Sequence, residues 1–266
     1  LIGLKFASFI SEHILKFFGP LFRSKKIISQ NIQRAFPNIT FNQKKNLINK
    51  MWSNYGKILA EYIFIKDFRH KESFQKKIKV VNQKILDDII NGKSPVIFIS
   101  GHFNNFELMA MYIEKSGIDL AAVYRPLNNK FLNPIMEKMR KKYICKYQIK
   151  KGIPGTKDLL KHFKNRNSIA LMIDQRVSEG IMCKFFGQDA LTTTLPAQFV
   201  KKFNTKIVPV YIQRYNHNNF DIEFYEPLSF SKNETIFDIT LKLNKIIEQM
   251  IIKNPDQWIW THNRWK

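Results

Sequence analysis

The spacing of apolar positions changes character near residue 78. Before it, side chains recur at helical intervals: Leu47, Ile48, Met51, Trp52, Tyr55, Ile58, Leu59 and Tyr62 mark the inward face of a helix from Phe41 to about Ile65. Thr40 and Gln43 stand at capping-box spacing in front of it. A shorter helix is expected over 25–36, closed by Pro37, and an apolar one over 1–22. From Ile78 onward, short apolar runs alternate with helical stretches, the pattern of βα units building a mainly parallel sheet. Strands are expected near 78–81, 95–100, 119–124, 146–150, 168–173 and 206–214, and His217-Asn218-Asn219 turns a hairpin into a last strand near 219–225, which makes the sheet mixed. Helices fall near 83–91, 104–116, 129–142, 156–165, 192–203 and 235–252. The fold class is therefore α/β, a mainly parallel mixed sheet flanked by helices, with an N-terminal helical layer. The expected division is 1–70 as a helical, membrane-associating segment and 71–266 as one compact α/β unit.

The most informative stretch is S-P-V-I-F-I-S-G-H-F-N-N-F-E at 94–107. Pro95 to Ser100 suits a strand covered on both faces, and His102 follows at its carboxyl end, the edge at which open α/β sheets bind ligands. Asn104 or Asn105 is placed to cap the next helix, with Glu107 in its first turn. His102 and Glu107 would not share a face of one continuous helix, but a loop histidine and a first-turn carboxylate can fold together as a base and its orienter. The alternative is a capping box between Asn104 and Glu107, with His102 a polar loop residue.

Other chain segments reach the same edge. Arg125 follows strand 119–124, and a guanidinium there suits a phosphate or carboxylate. Asp174-Gln175 follows strand 168–173. Phe185-Phe186-Gly187 and Thr192-Thr193-Thr194-Leu195-Pro196 read as a long loop and a helix start whose backbone N–H groups could meet an anion. Arg125, Asp174, Gln175, Gly187, Thr192 and Thr194 are the candidate substrate contacts. Each also has a structural reading: a surface ion pair, a turn residue, a cap.

Charge adds a partner class. The chain carries 44 Lys and Arg against 21 Asp and Glu, a formal +23, which favours anionic partners. The richness in Lys, Asn and Ile also fits A+T-rich coding, so part of the excess is solvated surface. Cys145 and Cys183 lie far apart with no C-x-x-C pair, which argues against a disulfide framework or a zinc knuckle. The opening 1–22, interrupted by Lys5, Glu12 and Lys16, fits an interfacial helix, the tail of a membrane segment begun upstream of Leu1, or an amphipathic helix packed on the domain.

G-H-F-N-N-F-E at 101–107, Y-R-P-L-N-N at 124–129, D-Q at 174–175, F-F-G at 185–187 and T-x-T-x-P at 192–196 together resemble the blocks of the bacterial lipid A biosynthesis acyltransferases, the lauroyl and myristoyl transferases of the lysophospholipid acyltransferase superfamily. The likeness extends to N-I-Q-R-A-F-P at 31–37 and Q-W-I-W-T-H-N-R-W-K at 257–266. Phe106 stands where the family commonly has Trp, and Arg176 replaces a second acid two positions after Asp174. The resemblance implies acyl transfer from an acyl carrier protein or coenzyme A thioester, as co-substrate, to a hydroxyl of a lipid A precursor, at the cytoplasmic face of the bacterial inner membrane. His102 would act as general base and Glu107 as its orienter. Arg125 or a backbone N–H near 101–104 would stabilise the oxyanion. No further cofactor and no metal is implied.

The basic face around Arg125, Lys130, Lys138, Arg140 and Lys184 would meet an acidic carrier, an anionic membrane or the lipid phosphates. The same H-x4-E pair would equally serve a lysophospholipid, an ornithine-type lipid or a mannosylated phosphatidylinositol as acceptor. A non-enzymatic basic module binding membrane or nucleic acid is the remaining alternative. The dispersed basic residues and the lack of a zinc-finger or RNP-type signature argue against nucleic acid.

Overall fold

A computed structural model describes residues 3–266. Leu1 and Ile2 of the expected first helix lie outside the described residues. In chain order the elements are α1 (Leu4–Phe22), α2 (Lys25–Ala35), α3 (Phe41–Ile63), α4 (Ile65–His70), α5 (Glu72–Gln75), β1 (Ile78–Val81), α6 (Gln83–Gly92), β2 (Ile97–Ser100), α7 (Glu107–Lys115), β3 (Leu120–Tyr124), α8 (Leu132–Tyr143), β4 (Tyr147–Lys150), α9 (Ile153–Lys164), β5 (Ser168–Met172), β6 (Ile181–Phe185), β7 (Gln188–Thr192), α10 (Leu195–Phe203), β8 (Ile207–Tyr215), β9 (Asn219–Phe224) and α11 (Ile236–Lys253), with a short 3-10 turn at Pro255–Gln257.

Seven strands form one sheet in the order β1-β9-β8-β2-β5-β3-β4. All pairs are parallel except β8 with β9. Every residue of β2 is buried, as a parallel strand between layers of helices must be. The hairpin and mixed sheet agree with the sequence pattern. The long loop expected around Phe185-Phe186-Gly187 instead contains an antiparallel hairpin, β6 with β7, turned by Phe186 (φ +51°) and Gly187 (φ +70°). Both turn residues are left-handed, the requirement of a two-residue turn that matches strand twist. The Thr40/Gln43 capping box forms as expected at the start of α3.

The N-terminal helices are fastened to the sheet by close packing and by a buried polar cluster. Glu61, on α3, is fully buried and accepts from two nitrogens of Arg214 of β8, Nε at 3.0 Å and Nη2 at 2.7 and 2.8 Å from its two oxygens. Asn54 of α3 accepts from the same guanidinium. Asn218 donates to Ser8 of α1 at 2.9 Å, and Asn105 donates to Glu61 at 3.2 Å. Burial raises the Glu61 carboxyl, with Arg214 opposing. The pair fixes how α1, α3 and the loop after β2 meet, a registry role more than a net gain in stability.

The C-terminal segment is the other clamp. Asn31 on α2 donates to the carbonyls of Trp260 and His262, and Arg34 to that of Trp265. Arg264 is buried, donates to the Leu191 carbonyl and the Thr192 hydroxyl at 2.7 Å each, and lies 4.6 Å from the Phe185 ring centre. The N-I-Q-R and W-I-W-T-H-N-R-W blocks are thus two halves of one structural joint.

Helices α1 and α3 pack so closely at Gly56 that an added Cβ would stand 2.3 Å from the Ser11 carbonyl oxygen. Gly56→Ala is therefore expected to destabilise the protein by about 1–3 kcal/mol through overpacking. A lowered thermal midpoint with earlier proteolysis in α1 would register the change, and wild-type resistance would show that α1 is not held this way.

Candidate active site

Strands β2 and β5 are adjacent and parallel, with Ser100 opposite Met172. That register carries His102 and Asp174, each two residues beyond, to the same point on the carboxyl edge of the sheet. Ile173 extends the ladder by donating to the Ser100 carbonyl at 3.0 Å. The chain must pass close to Asp174 there, and Gly101 permits it: a Cβ would meet the Phe103 ring at 2.8 Å and the Asp174 Cβ at 3.3 Å.

Asp174, 1% exposed, is the partner of His102. Its Oδ1 lies 2.8 Å from His102 Nδ1, and its Oδ2 accepts from the His102 backbone N–H at 2.9 Å and from Trp258 Nε1 at 2.8 Å. Burial on its own would raise this carboxyl, but the charge of His102 and the converging donors outweigh it and hold it at about 2. Burial likewise disfavours the charged imidazole, yet the Asp174 carboxylate, with a smaller contribution from Glu107, raises the His102 pKa above its ordinary value. An ionised acceptor on Nδ1 fixes the tautomer, so Nε2 is the basic nitrogen. It faces the cavity, 3.5 Å from the Gln175 amide nitrogen, and Phe106 packs edge-on against the ring.

Glu107 does not orient His102. It begins α7, as expected, but its carboxylate accepts from Arg140 of α8, at 2.7 Å from Nε and 2.6 Å from Nη2, and from the Tyr62 hydroxyl. The expected caps are also absent from α7: Phe106 holds the cap position without a side-chain bond. Asn104 is left-handed (φ +48°), donates to Gln257 and accepts from the Asn105 N–H, while Asn105 reaches Glu61. Both asparagines shape the loop rather than start the helix. Tyr62 is pushed well above its ordinary value by burial and the neighbouring carboxylate.

The cavity at this edge, about 270 Å³, has an apolar wall that includes Val123, Leu171, Ile173 and Leu195, and three cations: Arg125, Arg140 and Lys151. Arg125 is exposed and, among the described residues, has no ion-pair partner, nor has Lys151. The largest cleft, about 1250 Å³, lies at the opposite edge, by Ser94-Pro95-Val96 and Lys206, away from His102. Among the described residues no group of three or more His, Cys, Asp or Glu is placed to hold a metal ion.

Of the expected substrate contacts, Arg125 and Gln175 line the cavity with His102. Asp174 does not reach substrate, since both its oxygens are engaged. Thr192 is buried against Ala190, Asn244 and Arg264. Thr194 accepts from Gln198 at the start of α10. Gly187 sits in the hairpin turn with open space around it. Thr193, between the two named threonines, is the one that lines the cavity. Lys184 pairs with Asp189 at 2.9 Å, both side chains exposed, and does not line the cavity. Sequence reasoning missed Tyr62, Trp258 and Lys151, and it counted Arg140 only as part of a basic face. Trp258 lies in a block that had been quoted, but its partner is 84 positions away.

The family described as bacterial lipid A biosynthesis acyltransferase matches residues 1–266. The chain belongs to that family. It is similar to a lipid A biosynthesis acyltransferase of Haemophilus influenzae, 23% identical over 97% of this chain and 84% of the relative. It is also similar to the lipid A biosynthesis lauroyltransferase of Escherichia coli, 21% identical over 92% of this chain and 79% of that protein. The protein is an acyltransferase, and the His102–Asp174 pair is the group in its cavity suited to deprotonating a hydroxyl.

The two carboxylates are separable by experiment. Asp174→Asn frees the wrong tautomer and is expected to lower kcat by about 10³–10⁴-fold while the protein stays folded, as in other His–carboxylate catalysts. Glu107→Ala leaves Arg140 charged and unpaired, and is expected to cost about 3–5 kcal/mol of stability. Turnover assays beside thermal unfolding check both, and an Asp174→Asn enzyme with wild-type kcat would remove Asp174 from the machinery.

Proposed function

We propose that this acyltransferase moves a fatty acyl chain from the thioester of acyl carrier protein or coenzyme A to a hydroxyl of a lipid A precursor. The observation that carries the reading is the basic Nε2 of His102 opening into a cavity that is apolar on one wall and cationic on another. A fatty chain suits the first and a phosphorylated lipid the second.

His102 Nε2 takes the acceptor's hydroxyl proton as the oxygen attacks the thioester carbon. The Asp174 carboxylate stabilises the imidazolium. The tetrahedral oxyanion then collapses, the carbon–sulfur bond breaks, and the leaving thiolate recovers the proton from His102. Of the two candidate oxyanion stabilisers, the backbone choice is weakened: the N–H groups of His102, Phe103, Asn104 and Asn105 bind Asp174, the Gly101 carbonyl, the Gln257 carbonyl and the Asn104 side chain. Among the described residues Arg125 has no hydrogen-bond or ion-pair partner, which favours it as the oxyanion stabiliser. Glu107 anchors Arg140 in the cavity wall and adds negative potential at His102.

The reading includes association with the cytoplasmic face of the inner membrane. Its support is α1, which buries Leu4, Ser8 and Gly19 and exposes Phe6, Phe9, Phe17, Phe18, Leu21 and Phe22. Among the described residues no helix is long and apolar enough to cross a membrane; the exposed phenylalanines and leucine of α1 suit contact with the bilayer interface.

Mass spectrometry after incubation with acyl carrier protein thioesters and a tetra-acylated lipid A precursor should show a gain of one acyl chain, abolished in His102→Ala. Acylation of a lysophospholipid but not of this precursor would refute the acceptor assignment.

The pH profile gives a second check. The base works only when neutral, so kcat/KM should rise with pH through the raised His102 pKa. Asp174→Asn removes the charge that raises it, so the acid limb should move to lower pH while the plateau falls. An unmoved limb would mean that another group titrates.

A further inference from the structure

We infer that the segment from Leu127 to Ile135, together with Ile153, is a second bilayer-contacting surface at the rim of the cavity, separate from α1. The inference rests on the lipid acyl-transfer reading for its choice of partner. Helix α8 carries Leu132, Ile135, Met139 and Tyr143 on one face, at intervals of three and four residues. Met139 and Tyr143 pack against the core, whereas Leu132 and Ile135 continue the same stripe into solvent, 53% and 57% exposed. No residue of α8 is buried. Beside them, Phe131 is 87% exposed, Ile153 78% and Leu127 40%.

This presentation is built rather than loose. Asn129 Oδ1 accepts from the backbone N–H groups of Phe131 and Leu132, at 2.9 and 3.1 Å, and Asn133 Oδ1 accepts from that of Leu127 at 2.8 Å. These bonds order the backbone that carries the exposed Phe131, which lowers the ordering cost of docking. Residues that line the cavity flank this surface along the chain: Arg125 stands two positions before Leu127, Arg140 five after Ile135, and Lys151 two before Ile153.

Charge and hydrocarbon together select the partner. From Arg125 to Ile153 there are nine Lys and Arg against one acid, Glu137, and Glu137 is held by Asn133 and Lys150. Basic residues around exposed large apolar side chains match an anionic phospholipid surface. An acidic carrier protein would meet the lysines but leave five hydrocarbon side chains without a counterpart. Docked by this rim, the cavity would take a lipid acceptor and its chains without drawing them through water.

Cys145 and Cys183 are buried, at 0% and 1% exposure, so a single introduced cysteine can carry an environment-sensitive fluorophore. Phe131→Cys, Phe17→Cys on α1 and Asp88→Cys on exposed α6 would each be labelled and mixed with phosphatidylglycerol–phosphatidylethanolamine vesicles. Emission is expected to rise by about twofold or more at 131 and at 17, with quenching by spin-labelled acyl chains, and to stay flat at 88. The unlabelled Phe131→Asp, Ile135→Asp double variant should bind vesicles about tenfold more weakly with unchanged thermal unfolding. A silent label at 131 with a responsive one at 17 would overturn the inference, as would a double variant that binds like the wild type. A label at 131 that answers acyl carrier protein but not vesicles would give the surface to the carrier. None of these readouts depends on turnover, so a failed acyl-transfer assay and a failed docking assay remain distinct results.

Discussion

The site depends on one carboxylate that has no freedom left. Asp174 accepts from the imidazole, from the backbone of the same histidine and from the indole of Trp258, joining the end of β2, the end of β5 and the C-terminal segment. Burying a charge is costly unless donors replace the lost water. Here three donors converge on it, and its pKa of about 2 shows that they outweigh desolvation. The C-terminal tryptophan block thereby reaches the site from a packing position: Trp258 is buried among Phe185 and Trp260, and the N–H of its indole donates to Asp174 beside His102.

Two buried ion pairs bracket the loop that carries His102. Glu61–Arg214 lies on the side of the N-terminal helices and reaches the loop through Asn105; Glu107–Arg140 lies on the side of α8 and reaches α3 through Tyr62. Replacing such pairs by hydrocarbon is often neutral for stability, while breaking one partner is not. Their effect is therefore on geometry. Each admits a single arrangement of helix against loop, and together they hold His102 between an apolar wall and a cationic one.

Most of the fold was legible because each element obeyed its own period: the seven strands of the main sheet and the helices between them fall close to where the apolar spacing puts them. The β6–β7 hairpin was not, since its turn is Phe186-Gly187 rather than an Asn-Gly signal and its strands lie outside the main sheet. His102 was legible from its place after a buried strand. Its partner was not, because two acids, Glu107 and Asp174, met the chemical requirement and only the neighbour relation of β2 and β5 decides between them. Sequence proximity favoured Glu107. The parallel register favoured Asp174, and a register is a property of two strands 72 positions apart. The threonine run shows the same limit at finer scale: three adjacent hydroxyls were in view, and the pleat turned Thr192 inward, left Thr194 at the helix start and gave Thr193 to the cavity.

The net charge takes a different meaning once its acids are located. Of the 21 carboxylates, Glu61, Glu107 and Asp174 are buried, but Arg214, Arg140 and Arg264 are withdrawn from the surface with them, so the excess at the surface stays close to the formal count. Screening limits exposed charges to about 10 Å at ordinary salt, and most lysines are too scattered to act together. Arg125 and Lys151 differ from them in position: among the described residues they have no ion-pair partner, and they line a cavity whose third cation, Arg140, is already paired with Glu107. An anionic group entering there meets two uncompensated charges and a low-dielectric wall, where the same charges count for more than they would on the open surface. What an anionic group would meet at this cavity is therefore set by those two side chains rather than by the overall excess of +23.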